Sequence, residues 1–101
     1  MRCFLKAGDF VHVQLIDPSE RLWGRLDELN PAGVTMRCID VSQLEVFKFQ
    51  FKTERKVYPQ TVFFPMRRVQ KVDLDESMDH VPSVIQSIKD ITGLDEDAIM
   101  A

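Results

Sequence analysis

The chain contains few of the residues from which metal and catalytic sites are usually built. Its 101 residues include two histidines, two cysteines and four glycines. His12 and His80 are far apart in sequence, and neither Cys3 nor Cys38 belongs to a Cys-x-x-Cys or Cys/His pattern. A metal site needs several such ligands at close spacing, so we expect no metal and no cofactor. The cysteines are expected to be reduced thiols, with Cys38 a small core residue.

Motifs of familiar enzyme classes are also absent. The sequence has no Gly-x-Ser-x-Gly elbow for a nucleophilic serine and no glycine-rich loop for phosphates. Carboxylates are plentiful, but most fall in strands and turns where a charge simply faces solvent. His12 lies on the outward face of a predicted strand, where an exposed or hydrogen-bonded histidine needs no catalytic role. We therefore expect a protein that is not an enzyme.

Long apolar runs and an excess of positive charge are missing as well. No run approaches the roughly 20 residues that a membrane-spanning helix needs, and the N-terminal segment lacks the length and cleavage site of a signal peptide. These features predict a cytoplasmic protein with no membrane partner. The 13 Lys and Arg residues against 16 Asp and Glu residues leave a net charge of −3, which does not favour general binding to nucleic acids.

What the sequence does contain is alternation of apolar and polar residues, which predicts five short β-strands in a single domain over residues 1–101. The predicted strands are Asp9–Ile16, Arg21–Leu29, Val34–Ile39, Thr61–Pro65 and Arg68–Asp73. Gly24 interrupts the second strand, and a glycine inside a strand usually marks a bend or a close approach of the backbone. Barrels need such bends to close. The pattern predicts a mainly β fold with added helices, whose centre is a small five-stranded barrel over residues 9–73.

Residues 41–60 form an insertion between the third and fourth strands, and their pattern fits two structures. Ser42 and Glu45 are spaced as a capping box, which favours a helix from about Gln43 to Thr53. The alternation along Phe47–Phe51 is typical of a strand, so a strand is the alternative. We favour the helix.

The last segment, residues 80–101, has the apolar spacing of a helix that packs on the barrel. The apolar positions at helical intervals are Val81, Val84, Ile85, Ile88 and Ile91. Pro82 suits the first helical turn, Gly93 suits the left-handed position after a helix, and Asp95 can cap a short final turn. Trp23 faces away from the predicted barrel interior. We expect the tail or a neighbouring subunit to cover it; the alternative is a binding aromatic.

The order of the predicted strands resembles the Sm-like fold. Val11–Asp40, with Gly24 in its bent second strand, is similar to the first motif of that family, and Val62–Val72 is similar to the second. The resemblance implies a five-stranded Sm/SH3-like barrel that forms homo-oligomers by pairing the fourth strand of one subunit with the fifth strand of the next. The apolar residues of these two strands then form the interface: Val62, Phe63, Phe64, Val69 and Val72.

The function that these features favour is a non-enzymatic, self-associating binding or scaffold module of unknown ligand, with an RNA-binding Sm-like ring as the alternative. The loop and corner that contact RNA in the family correspond here to Asp27–Pro31 and Met66–Arg68, and both differ from the family motifs. Proteins hold single strands with stacking aromatics and basic side chains. The residues expected to contact RNA, if it binds, are Asn30, Phe64, Arg67 and Arg68.

Overall fold

The computed structural model of the chain describes residues 5–50 and 56–101, and these contain five β-strands and three α-helices. The strands are β1 (Phe10–Leu15), β2 (Glu20–Asn30), β3 (Gly33–Asp40), β4 (Gln60–Pro65) and β5 (Val69–Leu74), and the helices are α1 (Leu44–Phe49), α2 (Val84–Thr92) and α3 (Glu96–Ile99). Short 3-10 turns, Val41–Gln43 and Met66–Arg68, precede α1 and β5. All five predicted strands are confirmed, and their ends differ from the prediction by one residue at most.

The strands form one antiparallel sheet in the order β4-β3-β2-β1-β5. The long strand β2 pairs with β1 along its first half and with β3 along most of its length. β4 and β5 lie at opposite edges, and no pairing between them closes the sheet in the described part of the chain. A mostly β fold with helices is therefore confirmed. Closure into a barrel is not, because the sheet remains open.

One face of the sheet carries an apolar cluster, called here the inner cluster. Its buried members are Val11, Val13, Leu15, Leu22, Leu26, Val34, Met36, Cys38 and Phe64. Val62 of β4 and both Val69 and Val72 of β5 pack against it. Val11, Leu26 and Met36 of this cluster are 0% exposed, although the helices pack on the other face of the sheet, so the sheet must curl over its own inner face. The predicted curvature is thus present even though the edges do not meet.

Gly24 lies where two neighbouring strands approach closely. It lies opposite Val11 of β1 and Cys38 of β3. A Cβ atom built at Gly24 would lie 2.0 Å from the carbonyl oxygen of Arg37, a distance that no side chain can occupy. The glycine therefore lets β2 and β3 approach, as expected for a glycine inside a strand.

The helices cover part of the other face of the sheet and form an outer cluster with it. Its buried members are Phe10, Trp23, Ile39, Phe47, Ile85, Ile88, Ile99 and Met100. Trp23 is 0% exposed, and its ring stacks on Phe10 with a centroid distance of 5.5 Å. Of the alternatives for Trp23, cover by the helices of its own chain is the one that the structure shows.

α1 confirms the helical interpretation of the insertion over residues 44–49, whereas residues 51–53 of the expected helix lie outside the described residues. The predicted capping box is wrong. Asp40, which precedes the 3-10 turn, accepts a hydrogen bond from the backbone N–H of Ser42 at 2.8 Å, and Gln43 at the start of α1 makes no side-chain cap. The earlier turn thus removes Ser42 from the capping position.

α2 begins later than expected and ends as expected. Ser83 caps it by accepting a hydrogen bond from a backbone N–H three residues later, so Pro82 and Val81 precede the helix and Val81 is 69% exposed. Gly93 has a φ of 71° at the C-terminal end of α2, and Asp95 caps α3. Among the described residues, no helix is long and apolar enough to cross a bilayer.

Candidate interaction site

Two strands have an open edge. In the described part of the chain, β4 pairs only with β3 and β5 pairs only with β1. Each runs for six residues, so each presents a row of backbone N–H and C=O groups that lack a strand partner on one side. A strand added from another chain would satisfy such groups. The two edges match in length, which makes β4 and β5 candidate partners for each other between chains.

The apolar residues expected at these edges divide between the inner cluster and the surface. Val62, Val69 and Val72 are half-buried against the inner cluster, and Phe64 belongs to the cluster with 8% exposure. Phe63 is 52% exposed, and its ring lies over Gly33 of β3, where an added Cβ atom would come within 2.7 Å of it. Phe63 therefore offers more apolar surface to another chain than the other four.

Two of the four residues expected to contact RNA have roles in the fold. The side-chain oxygen of Asn30 accepts a hydrogen bond from the backbone N–H of Ala32 at 2.8 Å and so shapes the turn between β2 and β3. That turn touches the β4–β5 corner, because the N–H of Met66 donates to the carbonyl of Ala32 at 2.9 Å. Phe64 is 8% exposed in the single chain, so little of its ring is open to stack on a base.

The two arginines at the corner between β4 and β5 differ in their contacts: the side chain of Arg68 is bonded within the fold, and that of Arg67 is not. The guanidinium of Arg68 donates to the carboxylate of Glu20 at 2.8 Å. It also donates to the carbonyls of Ile16 at 3.2 Å and Pro18 at 3.0 Å, which ties the corner to the β1–β2 turn. Arg67 is exposed and makes no hydrogen bond or ion pair within the described chain. Of the four residues, Arg67 is the one that remains available to a ligand.

The most connected polar group is Asp75, which no sequence pattern indicated. It follows β5 directly, and its side chain is 3% exposed. Its carboxylate accepts hydrogen bonds from the His12 ring at 3.3 Å and the Trp23 indole at 3.0 Å. It also accepts bonds from the backbone N–H groups of Val84 at 2.9 Å and Ile85 at 3.0 Å. Burial raises the pKa of Asp75, but these bonds outweigh it and hold the pKa below its usual value.

This arrangement anchors a helix. Val84 and Ile85 lie in the first turn of α2, where backbone N–H groups have no partner within the helix and a negative charge is favourable. His12 and Trp23 belong to β1 and β2, so the carboxylate joins the sheet to α2. The bond between His12 and Asp75 spans 63 positions, which explains why local spacing gave no sign of it. His12 is accordingly a hydrogen-bonded residue, one of the roles expected for it.

The cysteine that the structure describes has no reactive character. Cys38 is 4% exposed within the inner cluster, as expected. Burial, together with the charge of nearby Asp40, raises the pKa of its thiol to about 11, and a neutral buried thiol is a poor nucleophile. Over residues 5–50 and 56–101, no group of three or more His, Cys, Asp or Glu side chains is placed to hold a metal ion. Cys3 lies outside these ranges.

Comparison of the chain with models of protein families, with curated proteins and with solved structures found no match. No relative therefore supplies a ligand, partner or activity for this chain. The open edges, the corner and the sheet surface described above are the features from which a function can be argued.

Proposed function

We propose that this protein is a self-associating binding or scaffold module that acts without catalysis. The observation that carries the proposal is the pair of open six-residue edges, β4 and β5, at opposite sides of one sheet. Pairing β4 of one subunit with β5 of the next gives both edges a strand partner. Such a contact is head-to-tail, so it closes into a ring when the rotation between subunits permits.

The composition of β4 supports this pairing. Edge strands of monomeric proteins are usually protected by charged residues, by prolines within the strand or by a covering element. β4 has no charged residue, and its proline, Pro65, stands at the last position. Phe63 is 52% exposed on this strand, and a neighbouring strand would cover it. Pairing would also cover the exposed parts of Val69 and Val72 on β5.

An Sm/SH3-like barrel is the finer description of the fold that we propose. Gly24 lets β2 and β3 approach closely, and side chains from both edge strands pack against the inner cluster. In such an assembly β4 and β5 of one chain do not pair with each other. Each pairs with an edge strand of a neighbouring subunit. The contact between the fourth and fifth strands is the one that the resemblance implies.

RNA binding is a second candidate, favoured by the exposed guanidinium of Arg67 at the corner between β4 and β5. A ring would repeat this corner in every subunit, so weak contacts would add through multivalency. Asn30, Phe64 and Arg68 are engaged within the fold, and the net charge of −3 opposes a polyanion. RNA binding is therefore expected to be weak, and self-association remains the function that we propose.

Size-exclusion chromatography with light scattering tests self-association directly. At micromolar concentration the chain is expected to have a mass that is a multiple of the monomer mass. The variant Phe63→Lys places a charge on the exposed edge position and is expected to shift the mass to that of one chain. Circular dichroism then checks that the variant keeps the wild-type fold.

Ile91→Lys is the matched control, because Ile91 is 38% exposed on α2 and lies outside both edge strands. This variant is expected to keep the oligomeric mass. A wild-type protein that is monomeric at micromolar concentration would contradict self-association. Dissociation by both substitutions alike would contradict the assignment of the interface to β4.

A further inference from the structure

A polar groove lies on the outer face of the sheet, beside the part that the helices cover. Its volume is about 450 Å³, which is within the range of small-molecule sites. The polar residues that line it come from β1, β2 and β5: His12, Gln14, Arg21, Gln70, Lys71 and Asp73. Of these residues, only His12 belongs to the Asp75 network.

Strand pairing places the two cations of the groove on either side of Gln14. Gln14 lies opposite Arg21 of β2 and opposite Lys71 of β5. Directly opposite residues of an antiparallel pair share one face of the sheet, so the three side chains form a row across the groove. The side chain of Arg21 is exposed and has no hydrogen bond or ion pair with any residue that the structure describes. Its guanidinium is therefore free to bind an anion.

A β-bulge brings a third donor into the groove. Gln14 pairs with Lys71, but the next residue, Leu15, pairs with Val69, so Gln70 is the extra residue. A regular strand would send Gln70 and Lys71 to opposite faces. Here the two consecutive residues line the same groove. Bulges often turn a side chain toward a binding site, and the side-chain amide of Gln70 is exposed, with no hydrogen-bond partner within residues 5–50 and 56–101.

We propose that this groove binds the phosphate group of a small organic phosphate. The guanidinium of Arg21 approaches from β2, while the ammonium of Lys71 and the amide of Gln70 approach from β5. Arginine pairs with both carboxylates and phosphates, but a phosphate group carries more charge and three acceptor oxygens, so it can engage donors from both strands at once. The groove is also larger than one phosphate group, which leaves room for the organic part of the ligand.

Two further features bear on the strength of this site. The net charge of the chain is −3, so general attraction of anions is weak and binding depends on the local arrangement. Asp73 holds the ammonium of Lys71 at 3.2 Å, and its carboxylate both competes for Lys71 and repels an anion. Removal of the Asp73 charge is therefore expected to strengthen phosphate binding, a result that damage to the fold would not produce. The site does not depend on self-association.

The experiment is an NMR titration of the ¹⁵N-labelled chain with inorganic phosphate and with glycerol 3-phosphate. Sodium chloride and sodium acetate at equal ionic strength serve as reference anions. Saturable shifts are expected in the signals of Gln70 and Lys71 with both phosphates, at millimolar concentrations or below. Acetate is expected to bind more weakly and chloride to give no saturable shift.

The variants Arg21→Gln and Lys71→Gln are each expected to weaken phosphate binding by about tenfold, and a tenfold change corresponds to about 1.4 kcal/mol. Asp73→Asn is expected to strengthen it. Lys6→Gln is the control, because it makes the same change in charge at an exposed residue outside the groove. Any one of four results would overturn the proposal. Lys6→Gln could weaken phosphate binding as much as the groove variants do, or Asp73→Asn could weaken it. The chain could bind acetate as tightly as phosphate, or phosphate could give no saturable shift.

Discussion

The indole N–H of Trp23 donates a hydrogen bond to the carboxylate of Asp75 at 3.0 Å, across 52 positions of sequence. The ring itself contacts Phe10 and Phe47, so this bond satisfies the polar atom of a fully buried aromatic. The same carboxylate accepts bonds from the first turn of α2. One side chain thereby joins the start of α2 to β2 of the sheet.

Asp75→Asn tests this connection. An asparagine has the same shape but keeps one acceptor oxygen, and its NH₂ group would face a backbone or indole N–H. The free energy of unfolding is expected to fall by about 2–3 kcal/mol, the usual cost when hydrogen bonds to a buried charged group are lost. Chemical denaturation followed by the fluorescence of Trp23, the single tryptophan, measures the change.

Asp73→Asn is the control for this variant. Asp73 is 51% exposed and pairs only with the exposed Lys71 in the described structure, and ion pairs of that kind contribute little to stability. The control is expected to unfold like the wild-type chain. Losses of equal size in the two variants would show that Asp75 has no special role.

Acid is expected to weaken the anchor that Asp75 provides. The folded chain holds the pKa of Asp75 below its usual value, so the ionised carboxylate stabilises the fold at pH values above about 4. This stabilisation is lost as the pH falls through the folded pKa. The difference in stability between wild type and Asp75→Asn is therefore expected to be constant near neutral pH and to shrink in acid. Denaturation curves at several pH values would contradict this if the difference stayed constant down to the lowest pH at which both chains fold.

Local patterns in the sequence were sufficient for much of the fold. The alternation of apolar residues placed β1 to β5 within one residue of their observed ends, and Gly93 was correctly expected in a left-handed conformation after α2. Local patterns failed where two nearby residues could each cap or begin the same helix. Asp40 replaces Ser42 as a cap, and Ser83 rather than Pro82 defines the start of α2.

Features that depend on distant residues could not be predicted in this way. The donors to Asp75 come from β1, β2 and α2, so no spacing near Asp75 reveals them. The bulge at Gln70 follows from the register of β5 against β1, and whether β4 meets β5 depends on the curvature of the whole sheet. Periodicity identifies which residues face the core, but it does not report register or closure.

Gly24 provides a test of the close approach between β2 and β3. Because a Cβ atom at this position would lie 2.0 Å from the carbonyl of Arg37, Gly24→Ala must push β2 and β3 apart. The expected loss of stability is about 3 kcal/mol, at the upper end of overpacking costs, and Gly24→Val is expected to lose at least as much. Thermal unfolding measures both variants.

Gly8→Asn is a suitable control for these substitutions, because an added Cβ at Gly8 meets no atom within 4 Å and its positive φ of 98° disfavours a side chain without excluding one. A small loss is expected there. A melting temperature for Gly24→Ala close to that of the wild type would contradict the close approach of β2 and β3.

Ile88 tests the outer cluster. It is 1% exposed, so Ile88→Asp places a charge where no partner is available and is expected to reduce stability by about 4 kcal/mol or more. Ile91→Asp, on the same helix at a 38% exposed position, is expected to cost much less. Circular dichroism and Trp23 emission would follow both; equal effects would show that α2 does not pack as described.

Arg67 and Arg68 are adjacent in sequence but are expected to respond differently to alanine. Arg68→Ala removes the bonds to Glu20, Ile16 and Pro18 and is expected to lower the free energy of unfolding by about 1 kcal/mol or more. Arg67→Ala is expected to leave stability unchanged, because Arg67 has no partner in the described part of the chain. Thermal melts of the two variants provide the comparison.

Binding of oligo(U) and oligo(A) at about 50 and 200 mM salt then tests the corner as an RNA contact. Contacts between Arg67 and phosphates would give weak binding that falls steeply with salt, and Arg67→Ala would reduce it without loss of stability. Tight, salt-sensitive binding that the double substitution Arg67→Ala with Arg68→Ala abolishes would make RNA binding the leading function. No binding at low salt would retire RNA as a ligand and leave a scaffold that acts through its strand edges.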